Sequence, residues 1–170
     1  MRVAIALFAV VALSGRVQAQ FKSIDDLKIE KVGLDTTEEE FLKMHPAAEI
    51  VSTKEVEKKL ETKIYAVGIR DSESYSKYSF RKGKLYLMSI EYTPKGVDNA
   101  GGSEAFVEKI VKKYGDATKV EKNSDTTVIL WSSEGAGNML AIKISGDSLN
   151  LSLTHKERFT SVMELRKKAK

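Results

Sequence analysis

The chain has 170 residues, 42% of them hydrophobic, a formal charge of +4 and no cysteine. Without cysteine there can be no disulfide, thiolate metal site, cysteine nucleophile or lipid-modified cysteine within these residues. Arg2 and Arg16 fall in the expected leader described next, so residues 20–170 carry only +2, too little to suggest a nucleic-acid-binding protein.

MRVAIALFAVVALSGRVQA opens the chain with a basic Arg2, an apolar run from Val3 to Leu13, helix-breaking Ser14 and Gly15, and small side chains at Val17 and Ala19. This pattern predicts a secretory signal peptide over residues 1–19, cleaved after Ala19 to leave Gln20 as the mature start. The apolar run falls short of the roughly 20 residues that span a bilayer. The expected location is therefore periplasmic or secreted. Ile24, Leu27 and Ile29 then supply a leading strand or turn.

A helix is expected from Thr36, where Thr36 and Thr37 stand three residues before Glu39 and Glu40, with Phe41, Leu42 and Met44 on its apolar side. Pro46 stops it, because His45 is pushed out of the α region by the following proline. AAEIV follows as a short strand. VEKKLETKI places Val56, Leu60 and Ile64 at helical spacing, yet the repeat described below asks for a strand pair with a charged turn, and the latter is preferred. FRKGKL, from Phe80 to Leu85, has a central glycine between alternating runs and reads as a tight hairpin.

GVDNAGGS is read as an inter-repeat linker that leads to Ser103 as the N-cap of a second helix. Ala105, Phe106, Ile110, Val111 and Tyr114 recur along that helix, and Gly115 ends it. DATKV parallels AAEIV, and ISGDSL, from Ile144 to Leu149, parallels FRKGKL. The chain therefore reads as an α+β protein made of two tandem helix-plus-antiparallel-meander repeats of about 65 residues. The first spans residues 20–97 and the second 98–170, forming a sheet with helices on one face. Phe159, Val162, Met163 and Leu165 add a short C-terminal helix.

GLDTTEEEFLKMHP and FVEKIVKKYG, each leading into a meander, resemble the tandem domains of the beta-lactamase-inhibitor-protein class and the related outer-membrane assembly lipoprotein fold. The resemblance covers nearly all of residues 20–170 at the level of pattern. It implies the fold and transfers no functional residue, and this chain lacks the cysteines of both groups.

Alternation in the second repeat assigns Leu140, Ile142, Ile144, Leu149, Leu151 and Leu153 to the core. It turns Met139, Ala141, Lys143, Ser148, Asn150, Ser152 and Thr154 outwards. The same register carried through the first repeat makes Tyr78, Phe80, Leu85 and Leu87 core. Its outer face then holds Tyr75, Lys77, Tyr86, Met88, Ile90 and Tyr92, beside the serine-rich DSESYSKYS. Such a Tyr- and Met-bearing patch suits a protein-binding surface. Two bland readings stand beside it: a bulge or one-residue slip turns every side chain over, or the terminal segments cover the face. Trp131 shares a face with Ile129 and reads as core.

Catalytic signals are sparse. His45 and His155 stand in no ligand spacing, the serines lack a GxSxG elbow, and GVDNAGGS lacks the lysine of a phosphate loop. Asp71, Glu73, Asp98 and Glu121 do not have calcium-loop spacing, and Asn150-Leu-Ser is a glycosylation acceptor only in a eukaryotic host. The expectation is an exported, non-enzymatic binding protein without cofactor or metal, whose partner is an envelope or secreted protein. A small-ligand or lipid carrier using the same face is the alternative, and a homodimer through that face fits the pattern equally. The last fifteen residues hold six cations against Glu157 and Glu164, which suits either a solvated helix end or weak contact with an anionic membrane surface.

Overall fold

The structure, a computed structural model, describes residues 22–168 except 53, 69–72, 134 and 136. The expected leader and its cleavage point, Asp71 and Lys170 lie outside the described residues. Eight strands, β1 (Glu49–Ile50), β2 (Thr62–Val67), β3 (Ser74–Arg81), β4 (Lys84–Tyr92), β5 (Lys119–Lys122), β6 (Thr126–Ser132), β7 (Asn138–Ser145) and β8 (Ser148–His155), form one antiparallel sheet. Among the described residues five helices accompany it: α1 (Glu38–Met44), α2 (Glu55–Lys59), α3 (Pro94–Asn99), α4 (Gly102–Tyr114) and α5 (Lys156–Lys168).

The strand order is β1-β2-β3-β4-β8-β7-β6-β5. Each meander thus contributes its last strand to the middle of the sheet, and the two edges are β1 and β5, of two and four residues. Short edges expose few unpaired backbone groups. One buried cluster contains Phe41, Tyr78 and Met88 from the first half together with Trp131, Leu140 and Leu153 from the second. The halves share a core because β4 and β8 pair directly, Met88 opposite Leu153 and Ile90 opposite Leu151.

Local chemistry sets the helix ends. Thr37 and Glu40 form a reciprocal capping box, the Glu40 N–H donating to Thr37 Oγ1 at 3.3 Å and the Thr37 N–H to Glu40 Oε2 at 2.9 Å. Helix α1 then drops Phe41 onto the sheet, with ring centroids 4.7 Å from Tyr78, 5.3 Å from Phe80 and 5.4 Å from Tyr65. Over the second half α4 packs Phe106, Ile110 and Val111 against the core, and the Trp131 indole N–H donates to the Gly115 carbonyl at 2.9 Å. Between these helices, Ile24, Leu27, Ile29, Val32 and Leu34 are buried on a short 3-10 turn and a tight bridge between Ile29 and Val32.

Three expectations are corrected. The segment Glu55–Lys59 is helical and only then enters β2, so helical spacing prevails over the strand pair preferred for VEKKLETKI. Half of GVDNAGGS belongs to α3, whose Thr93 side chain caps the Gly96 N–H and whose Pro94 opens the first turn. Helices also occupy both faces of the sheet: α1 and α4 lie on the first, and α5 reaches the second, where Phe159 meets Tyr86 at 6.5 Å between ring centroids.

The register of β4 is the fourth correction. Phe80 pairs with Leu85 but Ser79 pairs with Leu87, so Tyr86 is an extra residue in a β-bulge. Past the bulge the alternation inverts. Met88, Ile90 and Tyr92 face the core with Tyr78 and Phe80, while Leu87, Ser89 and Glu91 take the second face. The second repeat has no such break, and its core set is as alternation dictates, with Trp131 3% exposed. Among the described residues no helix is long and apolar enough to cross a membrane.

Candidate functional site

Six residues of the first repeat were expected on one open surface, and the bulge divides them. Met88 is fully buried, Ile90 packs on the core, and Tyr92 meets Phe106 edge-on at 5.1 Å. Tyr86 points to the second face but is 1% exposed beneath α5. Only Tyr75 and Lys77 remain on the uncovered part of that face, both half-buried. KLYLMSIEY did carry a signal: four consecutive apolar residues, Leu85 to Met88, mark a strand covered on both faces.

Glu91, absent from the sequence-derived set, joins Tyr75 and Lys77. It stands opposite Tyr75 in the β3–β4 ladder and diagonal to Lys77. Lys77 Nζ lies 2.6 Å from Glu91 Oε1 and 4.9 Å from the Tyr75 ring centroid, and the Tyr75 hydroxyl donates to Glu91 Oε2. Burial pushes the Glu91 carboxyl up, but the bonds from Lys77 and Tyr75 and the Lys77 charge outweigh it and hold it below the usual carboxylate range. Burial pulls the Lys77 ammonium down, and its bond to Glu91 more than reverses this. Both groups are ionised at neutral pH, and three side chains of different length are locked in one geometry.

Around this trio the second face carries cross-strand rows. Leu130, Ala141, Ser152, Ser89 and Lys77 align in one row, and Val128, Lys143, Asn150, Glu91 and Tyr75 in the next. The first row is aliphatic towards β6 and polar towards β3; the second alternates charge. Between Tyr75, Glu91 and Pro94 on one side and Lys143, Ser148 and Asn150 on the other lies an open hollow of about 600 Å³.

Other singled-out residues gather no chemistry. His45 packs its ring 5.1 Å from Phe41 and 5.9 Å from Tyr78. His155 is pulled below its ordinary pKa first by burial and then by the Arg158 charge. Glu73 accepts from the Asn99 amide, and Glu121 pairs with Lys119 at 2.5 Å. Among the described residues no group of three or more His, Asp or Glu side chains could hold a metal ion.

The C-terminal cations are only partly a solvated face. Arg158 donates to the Leu34 and Leu85 carbonyls, and Arg166 pairs with buried Glu57 on α2, so both turn inwards and pin α5 to the fold. Lys156, Lys167 and Lys168 are exposed. Compared with protein-family models, curated proteins and solved structures, the chain matches none of them.

Proposed function

We propose that this is an exported, non-enzymatic binding protein that recognises an envelope or secreted protein on the uncovered part of its second sheet face. The observation that carries the reading is the contrast between the two faces. The first is filled by α1, the 24–34 segment and α4, and the second is covered around Tyr86 by α5, with α2 docked beside it through the Glu57–Arg166 pair. What remains open is a rigid, hydrogen-bonded surface with the ordered Tyr75–Glu91–Lys77 trio beside half-exposed Leu130, Met139 and Ala141. Ordered side chains lose little further entropy on binding, and a tyrosine flanked by charge and aliphatic surface suits a protein contact. The leader-like N-terminal pattern motivates the exported location.

A pull-down from the native periplasmic or secreted fraction tests this, with Tyr75→Ala/Lys77→Ala as control and mass spectrometry as readout. One partner retained by the wild type and lost by a folded variant is the expected result. Equal capture by both proteins sinks the assignment to this face.

The hollow of about 600 Å³ beside Tyr75 favours one second reading, a carrier of a small polar ligand. Chemical-shift changes confined to Tyr75, Lys143 and Asn150 on titrating a metabolite library would support the carrier over the protein-binding face.

A further inference from the structure

A second concavity lies at the opposite end of the sheet, where the β3–β4 turn meets the first two turns of α5. Its volume is about 380 Å³, and its walls are Arg81, Lys82 and Lys84 from the hairpin and Arg158 and Ser161 from the helix, over Tyr86 and Val162. Four cations meet here. Glu157 lines the same cleft and Glu61 pairs with Lys82 at 3.0 Å, so four positive charges against two negative leave +2.

The two arginines are already oriented. Arg81 Nε donates to the Leu60 carbonyl at 3.3 Å, and Arg158 Nη1 donates to the Leu34 and Leu85 carbonyls at 2.9 and 2.8 Å. Each guanidinium is anchored through one edge on neutral backbone oxygens. These bonds fix its position without a direct ion pair and leave its other N–H groups without a hydrogen-bond partner among the described residues, although Asp25, Asp26 and Asp35 share a neighbouring concavity with Arg158. Lys84 and the half-buried Ser161 hydroxyl likewise make no side-chain bond among them. Donors thus line both walls of the cleft.

We propose that this cleft binds a phosphate monoester. A tetrahedral dianion presents three terminal oxygens in different directions, which suits two fixed guanidinium forks, an ammonium and a hydroxyl; a planar carboxylate needs only one such fork. The net +2 matches a dianion rather than the single charge of a phosphodiester. This site is separate from the open sheet face and does not depend on it.

Inorganic phosphate at alkaline pH is the probe, titrated into the full chain and followed by calorimetry and phosphorus NMR. Vesicles of phosphatidylglycerol in phosphatidylcholine form the second arm. Lys84→Glu removes an exposed cation that holds nothing else in place, and Lys122→Glu, on the distant edge strand β5, makes the same change in net charge. Saturable one-to-one binding is expected, weakened about tenfold or more by Lys84→Glu and little changed by Lys122→Glu. Equal weakening by both variants would reduce the effect to diffuse attraction and overturn the proposal. No saturable binding of phosphate, or binding to the vesicles alone, overturns it as well.

Discussion

Replacing Arg166 by Met tests how the C-terminal helix is held. Arg166 Nη2 lies 2.8 Å from both carboxylate oxygens of Glu57, whose side chain is 8% exposed against 27% for Arg166, and the Thr62 hydroxyl donates to the same carboxylate. Removing one partner of a buried pair leaves an uncompensated charge and costs about 3–5 kcal/mol. The surviving Thr62 bond and the partial exposure of Arg166 place this case near the low end, about 3 kcal/mol, or a fall in Tm of roughly 6–12 °C for a chain of this size. The pH dependence is diagnostic. Burial pushes the Glu57 carboxyl up, but the bonds from Thr62 and Arg166 and the Arg166 charge outweigh it, so the folded carboxyl titrates below its ordinary value. A depressed carboxyl contributes stability above its unfolded pKa and loses it as pH falls through the folded one. In Arg166→Met the bond and the charge from Arg166 are gone, so the carboxyl titrates higher than in the wild type. The deficit relative to wild type should therefore be largest near neutral pH and narrow on acidification towards pH ~4, as the variant's Glu57 takes up its proton. Urea unfolding followed by circular dichroism at both pH values measures this, and Glu57→Gln/Arg166→Met should recover most of the loss. A deficit below about 1 kcal/mol, or one unchanged with pH, refutes the claim that a buried ion pair holds α5.

The β4 bulge makes opposite demands on neighbouring candidates. Met88→Ala should cost about 2–5 kcal/mol as a buried truncation, whereas Lys77→Ala, one-third exposed, should cost under about 1 kcal/mol; comparable costs in chemical denaturation would contradict the register. At the start of α3, a Cβ on Gly96 would stand 2.0 Å from the Glu73 carbonyl oxygen, which also accepts from the Thr93 N–H at 2.9 Å. Gly96→Ala should therefore destabilise by about 1–3 kcal/mol through displacement of α3, and faster amide exchange at Thr93 and Val97 would locate the change.

Local signals were enough where the physics is local. The Thr37–Glu40 box, the stop before Pro46, the glycine turns of both hairpins and the end of α4 at Gly115 depend on residues within a few positions of one another, and they specify the α+β repeat. The second meander was legible in its choice of faces, because the outer side of β7 and β8 is polar apart from Met139 and Ala141 and two-residue periodicity survives. In the first meander that condition fails. Helix α5, seventy residues further along the chain, covers the outer side of β4 at Tyr86, so apolar residues are required on both faces and alternation no longer distinguishes them. One extra residue in the ladder then reverses the direction of everything beyond it, and no count along the strand alone reveals where it falls. The Tyr75–Glu91–Lys77 trio and the cleft between Arg81 and Arg158 arise in the same way, by strand pairing and helix docking that bring together groups separated by 16 and 77 positions. Composition and periodicity thus determined the architecture, while the identity of the exposed surface was decided only when the C-terminal helix folded back onto the sheet.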